Sequence, residues 1–285
     1  MLYRIEHVSR YLYPSPVRQC VLSLCLQPRD DAGQRLLSFD VATDPPAPLN
    51  SETDVFGNTR QVLNIDREHE GLEVTSRSTV ERVPAAAPLE SLGAGAWQEI
   101  RAWTESFDYW DFTHPSHYAR PSSALAAFVD EVGIRAGDDP LETVLRLSDT
   151  LYRSFRYVPG STSAVSPIEH ILQSRQGVCQ DYAHVMIAVA RSWDIPTRYV
   201  SGYLYVDGQA GEEPPQTATH AWVECCLPDL GWIGFDPTNR CLADQRHVRI
   251  AVGRDYQDVS PIRGVFKGAG EVRLAVDVRV RAGDR

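Results

Sequence analysis

The stretch Ser166–Trp193, SPIEHILQSRQGVCQDYAHVMIAVARSW, decides the fold. Ser166, Pro167 and Glu169 stand in the order of a capping box with proline at the first helical position, and Ile168, Ile171 and Leu172 supply the buried stripe of a short helix. Gly177 is expected to end that helix in left-handed backbone. Cys179 follows at once, and from Tyr182 to Trp193 the residues are apolar on nearly every side, the pattern of a helix enclosed by its domain. Ile195 precedes Pro196, which pushes it out of helical backbone and sends the chain on as a strand near Thr197. Cys179 therefore begins a buried helix, where unpaired N–H groups and the macrodipole favour a thiolate and can also hold an oxyanion. Asp181 opposes the thiolate by repulsion, although a helical turn of about 100° per residue is expected to aim its side chain well away. Free cysteine is also a common core residue, so on this stretch alone Cys179 reads as a nucleophile or as one more buried thiol.

After this helix the period drops to two. Residues 198–206 read as a strand, 207–217 as an acidic Gly/Pro-rich loop, 219–225 as a second strand and 232–235 as a third. His220, Trp222 and Glu224 share one face. A five-residue hairpin loop, 226–230, sets Cys225 opposite Gly231 and His220 opposite Asp236, where Cβ atoms lie roughly 4.5 to 5.5 Å apart. Cys179, His220 and Asp236 then supply the parts of a thiol triad: a thiolate, an imidazole to move its proton, and a carboxylate to fix the imidazole's tautomer. Seen singly, His220 is also a plain strand histidine and Asp236 a turn aspartate before Pro237. The acidic loop returns directly into His220 and reads either as a bare connection or as a flap that favours cationic substrates.

The rest of the chain frames this core. Residues 1–83 alternate as antiparallel strands (Cys20, Leu22, Leu24, Leu26; Leu37, Phe39, Val41), and Pro84 to Pro88 form a linker. Helical periodicity starts at Ala96, with Trp97, Ile100, Trp103 and Phe107 on one face, and continues through Leu125 to Val132 and from Asp139 to Phe155. His7, His69, His114 and His117 have no partner at a telling spacing and read as structural. Val272 to Val280 alternates again, so the segment 271–281 is expected to pair with the N-terminal β domain and tie the chain ends together. A net charge of −10 across 285 residues argues against a nucleic-acid or anionic-membrane partner. No apolar run has the length of a membrane span and residues 1–10 lack a signal-peptide layout, so a cytoplasmic location is expected. The 6 cysteines are too sparse for a disulfide framework. With no C-x-x-C and no H-E-x-x-H, neither a metal nor another cofactor is expected.

Four ordered motifs also resemble the bacterial transglutaminase-like family: Gly177-Val178-Cys179-Gln180-Asp181-Tyr182-Ala183, Arg198 to Tyr203, His220-Ala221-Trp222-Val223-Glu224, and Gly234-Phe235-Asp236-Pro237-Thr238-Asn239. The tract Gly253 to Val259 and the β-rich first 83 residues are similar to that family as well. The resemblance implies an α+β chain: an N-terminal antiparallel β domain over 1–83, then a papain-like transglutaminase core over 84–285. It implies Cys179 as nucleophile, His220 as base and acid, and Asp236 as orienting carboxylate. The oxyanion candidates are Cys179 itself and Gln173, six residues earlier, a spacing that matches papain. Tyr157, Trp222, Asp255 and Tyr256 are candidate substrate contacts. The reaction expected is hydrolysis of a peptide or other amide through a thioester, because water stands at ~55 M and nothing in the sequence displays an amine site. Transfer of the acyl group to an amine is the alternative, and a silent peptide-binding module is the reading from a different class.

Overall fold

The structure is a computed structural model that describes residues 1–31, 33–83, 90–207, 219–268, 270 and 272–283. The expected linker 84–88 lies outside the described residues, as do positions 208–217 of the acidic loop. The chain opens with β1 (Leu2–Leu24), β2 (Gln34–Asp44), β3 (Leu49–Thr53), β4 (Thr59–Ile65) and β5 (His69–Arg82). Helices follow as α1 (Ala96–Trp103), α2 (Trp110–Thr113), α3 (Ser123–Val132) and α4 (Pro140–Ser154), then β6 (Arg156–Tyr157), α5 (Ile168–Ser174), β7 (Gln176–Gly177) and α6 (Cys179–Arg191). The last part holds β8 (Thr197–Leu204), β9 (His220–Leu227), β10 (Gly231–Asp236), β11 (Cys241–Leu242), β12 (His247–Gly253), α7 (Tyr256–Val259), β13 (Ile262–Lys267) and β14 (Arg273–Gly283).

The first sheet runs β2-β5-β1-β4-β3, and its central strand also pairs with β13 and β14. Residues 2–12 of β1 lie between β5 and β14, whereas residues 20–24 lie between β4 and β13. The sheet thus takes strands from both ends of the chain. The second sheet, β11-β10-β9-β8-β12, carries α6 on one face through Tyr199, Tyr203, Ala221, Val223, Cys225 and Phe235. Tyr3, Ile5, Val80, Val278 and Val280 of the first sheet belong to the same apolar cluster, so the two sheets share one core.

Beta12 is an edge strand, and an uncovered edge invites pairing with other chains. Side-chain amides cover it here. Gln34 donates to the Arg249 carbonyl (2.8 Å) and accepts from its N–H (2.8 Å), and Asn58 does the same at Val252 (2.8 and 2.9 Å).

Several sequence expectations are corrected. Alpha1 stops at Trp103 and leaves Phe107 on the surface at 93% exposure, because the chain turns at 104–109 before the helical face continues. Alpha5 ends on Arg175 (φ 57°) rather than on Gly177. Gly177 is needed for close approach, since a Cβ there would sit 2.6 Å from Ile171 and 3.0 Å from Asp181. At the other end Pro167, not Ser166, holds the cap position, and Ser166 Oγ instead accepts from the Ser163 N–H. The β9–β10 hairpin pairs Leu227 with Gly231, so its loop is 228–230 and Cys225 faces Ile233. Cys226 and Leu227, read as loop, are buried strand residues. The slip is two residues, an even number, so every side chain keeps its face while His220 and Asp236 become diagonal neighbours.

Candidate active site

Cys179 is the first residue of α6, all of whose residues are buried, and its own exposure is 9%. Being first, its N–H has no acceptor within the helix. The Asp181 carboxylate accepts from the Val178 N–H (2.8 Å) and from Thr162 Oγ1 (2.6 Å), so it caps the helix that presents the thiol. Burial raises the Asp181 pKa, with those two hydrogen bonds opposing the shift.

His220 opens β9, and its Nε2 lies 2.7 Å from Asp236 Oδ2. That contact leaves Nδ1 for Cys179, whose sulfur is near enough to help raise the His220 pKa. Asp236 is fully buried. Its Oδ1 accepts from the N–H groups of Thr238 (3.0 Å) and Asn239 (3.1 Å), and its Oδ2 faces Asn239 Nδ2 (2.7 Å) and His247 Nε2 (3.1 Å) besides His220. Burial alone would push this carboxyl up, but the donors on it win and hold it well below the usual carboxylate range. For His220 burial works against the charged form, and the interactions with Asp236 and Cys179 overcome it, pushing the pKa up to about 10. The arrangement is an anionic carboxylate, an imidazole that keeps its proton through neutral pH, and a sulfur at a helix start, in one line.

Beneath this line lies Trp222. Its ring is buried, at 6.1 Å from the His220 ring and 5.1 Å from that of His247. It lies across Gly202 of β8, where a Cβ would come within 2.4 Å of the indole and 2.2 Å of the Val248 carbonyl. Trp222 is therefore the floor of the site and not a substrate contact. Asp255 and Tyr256 are also not brought to the triad. Asp255 is buried, caps α7 and accepts from the Tyr118 N–H (2.8 Å), while the Tyr256 N–H donates to His184 on α6 (3.2 Å). Gln173 sits exposed on α5 with no hydrogen bond to the triad among the described residues. Tyr157 does border the site: half-exposed and opposite Gly177, it has its pKa raised first by burial and then by the charges of Cys179 and Asp236.

Two residues of the site went unread in the sequence. Asn239 carries a faint signal as the fourth residue of an Asp-Pro-Thr-Asn turn, the geometry in which an aspartate accepts from N–H groups two and three residues on. His247 has no spacing that marks it, and only the folded chain brings it to Asp236, across two intervening strands. His220, Asp236 and His247 converge to within 4.8 Å of one another. The converging atoms are hydrogen-bonded to one another, both imidazoles meeting at Asp236 Oδ2.

Residues 126–237 match the transglutaminase-like superfamily and residues 3–81 match the bacterial transglutaminase-like N-terminal region. An uncharacterized protein of Mycobacterium tuberculosis is 32% identical over 296 residues, covering 99% of this chain and 94% of that one. A protein-glutamine gamma-glutamyltransferase of Pseudomonas aeruginosa is 38% identical over 129 residues, which is 42% of this chain and 16% of that protein. A crystal structure of a candidate cysteine protease from Cytophaga hutchinsonii superposes with a TM-score of 0.76 at 22% identity, covering 100% of this chain and 92% of the other. The fold is α+β, an N-terminal antiparallel β region joined to a papain-like core. No helix among the described residues is long and apolar enough to cross a membrane.

Proposed function

From the premise that this chain belongs to the bacterial transglutaminase-like family, we propose that it is a cysteine-dependent amide hydrolase. In this reading the Cys179 thiolate attacks the carbonyl carbon of a carboxamide or peptide bond. The resulting oxyanion takes a hydrogen bond from the Cys179 N–H. The His220 imidazolium gives its proton to the leaving amine, the C–N bond breaks and a thioester remains. Water then loses a proton to His220 and attacks the thioester, releasing a carboxylic acid and restoring the ion pair. Asp236 stays ionised throughout, holding His220 with Nδ1 towards the sulfur.

The observation that carries this reading is His220 bonded at 2.7 Å to a buried, strongly acidic Asp236, with the helix-start Cys179 near enough to help raise the imidazole's pKa. A binding module has no use for such a line. Incubation with a library of peptide amides, followed by intact-mass measurement, tests it: an acyl adduct on Cys179, absent from Cys179→Ala, is expected. An adduct that persists in Cys179→Ala removes the proposal. Transfer to an amine remains the second reading, favoured by the similarity of part of the core to the gamma-glutamyltransferase. Product analysis in the presence of a primary amine separates the two, since hydrolysis gives the acid alone.

A further inference from the structure

We infer that His247 is a positioning residue for the reaction, a second imidazole that holds the Asp236 carboxylate and tempers its pull on His220. The inference rests on the reading of Cys179, His220 and Asp236 as the catalytic line. His247 opens β12, is 1% exposed, and touches neither the sulfur nor the expected place of substrate, so any effect on the chemistry passes through Asp236. The state of Nε2 follows from its partner. Both the Asp244 N–H (3.1 Å) and Asp244 Oδ1 (3.2 Å) face Nδ1, while Nε2 faces Asp236 Oδ2 at 3.1 Å, an ionised carboxylate oxygen that can only accept; Nε2 therefore carries a proton. The ring packs against Trp222 with centroids 5.1 Å apart, and its backbone is fixed by pairing with Leu204 of β8.

Oδ2 of Asp236 thus has two donors that take no part in proton transfer, His247 and Asn239, and a third on His220, the ring whose other nitrogen exchanges the proton. A fixed donor does two things for such a carboxylate. It stops rotation of the group when His220 gives up its proton to the leaving amine. It also withdraws electron density from the oxygen, so that His220 is held as an imidazolium but not so tightly that it fails as an acid. The titratable groups facing this pair are Asp236 on β10, His220 on β9, Cys179 on α6, Cys241 beside Asp236 on β11, and Asp244 ahead of β12.

The test uses the full chain and p-nitrophenyl acetate, whose acyl group a thiolate accepts with release of p-nitrophenol. Burst amplitude counts working Cys179, and burst rate against pH reports His220. His247→Leu removes the donor. It is expected to keep the amplitude, to lower the rate about 10- to 100-fold through loss of alignment, and to move the alkaline limb upward as the carboxylate becomes more basic. His247→Gln, whose amide nitrogen reaches the place of Nε2, is expected to restore the rate to within about threefold of the native chain, the tolerance expected when a hydrogen bond is replaced in kind. A purely structural role would leave the limb where it was. Proton NMR of the native chain should show two strongly downfield ring N–H signals, and His247→Gln should lose one, a readout that survives if the leucine variant folds poorly. Native rates and native limb in both variants overturn the inference while leaving the catalytic line standing. A burst undiminished in Cys179→Ala overturns the line itself, and the inference with it.

Discussion

At the residue scale the site is a contest between burial and hydrogen bonding, and hydrogen bonding wins at Asp236 and His220. The consequence for pH has a definite sign. The folded pKa of His220 is raised from 6.5 to about 10, so its imidazolium favours the folded state fully below about pH 6.5, and that contribution is lost as pH rises through 10. Acylation that needs the imidazolium as acid should have its alkaline limb near the same point. In Asp236→Asn the charge that raises His220 is gone, so the limb should fall towards 6.5, and kcat should drop by up to about 10⁴-fold as the tautomer is lost; an unmoved limb in a stopped-flow pH series would remove Asp236 from the line. Iodoacetamide should label Cys179 first at pH 6, because burial pushes Cys225 up to about 12 and Cys241 up to about 11. Peptide mapping that finds Cys225 or Cys241 modified ahead of it would contradict the assignment. The three residues of the line could be read from the sequence because each sits at a marked place: a helix start, a strand end, a turn before proline. His247 could not, because nothing local distinguishes the first residue of an edge strand from any other buried histidine.

At the element scale, local physics carried most of the fold and failed where two signals competed. Alpha4 and α3 follow their caps as expected, with Asp139 accepting from the Glu142 N–H at 3.0 Å and Gly133 closing α3 at φ 66°. Gly177 misled because a glycine before a helix satisfies a left-handed turn and a close approach equally well in sequence, and only packing against Ile171 and Asp181 tells them apart. The hairpin register slipped by two because Cys226 and Leu227 look loop-like beside Pro228, yet burial of both extends the strand. Gly202 is the glycine on which the sheet depends most. Gly202→Ala forces either the Val248 carbonyl or the Trp222 ring to move, and overpacking of this kind costs about 1 to 3 kcal/mol. Calorimetry should show a lower Tm, together with a slower acylation burst because Trp222 supports both imidazoles; a native Tm would mean that the strands relax freely. Glu224, 3% exposed, joins Arg198 (2.6 Å) to Arg249 (3.2 Å), and Glu224→Gln should cost about 3 kcal/mol by taking the counter-charge from Arg198, while Arg249 keeps Asp31. Chemical denaturation that finds less than about 1 kcal/mol would place this pair among the ordinary surface bridges.

At the scale of the whole molecule, the first sheet acts as a brace for the second. Beta14 pairs with β1 from Leu2↔Gly283 to Leu12↔Arg273 and contributes Val278 and Val280 to the shared core, a long-range contact that the alternating C-terminal pattern made legible. What the sequence did not carry is where that sheet touches the core, because amide-to-backbone contacts such as those of Gln34 and Asn58 leave no periodic trace. Those contacts reach towards the site. Gln34 grips the backbone of Arg249, two residues beyond His247 on β12, and Arg82 donates to the Asp244 carbonyl at 3.2 Å, in the residue whose N–H fixes the His247 ring. The brace therefore ends one bond away from the donor that holds Asp236. Gln34→Ala should lower the Tm, since the Arg249 N–H loses the Gln34 amide while its carbonyl keeps only the Arg29 N–H, and should also slow the acylation burst without changing which cysteine is labelled first. The two effects have different origins, so they can be told apart by adding His247→Leu: if Gln34 acts through His247, the double variant should be no slower than His247→Leu alone, whereas independent rate losses would multiply. A native burst rate in Gln34→Ala alongside a lowered Tm would confine the first sheet to stability, and its contact with β12 would then be a covered edge and nothing more.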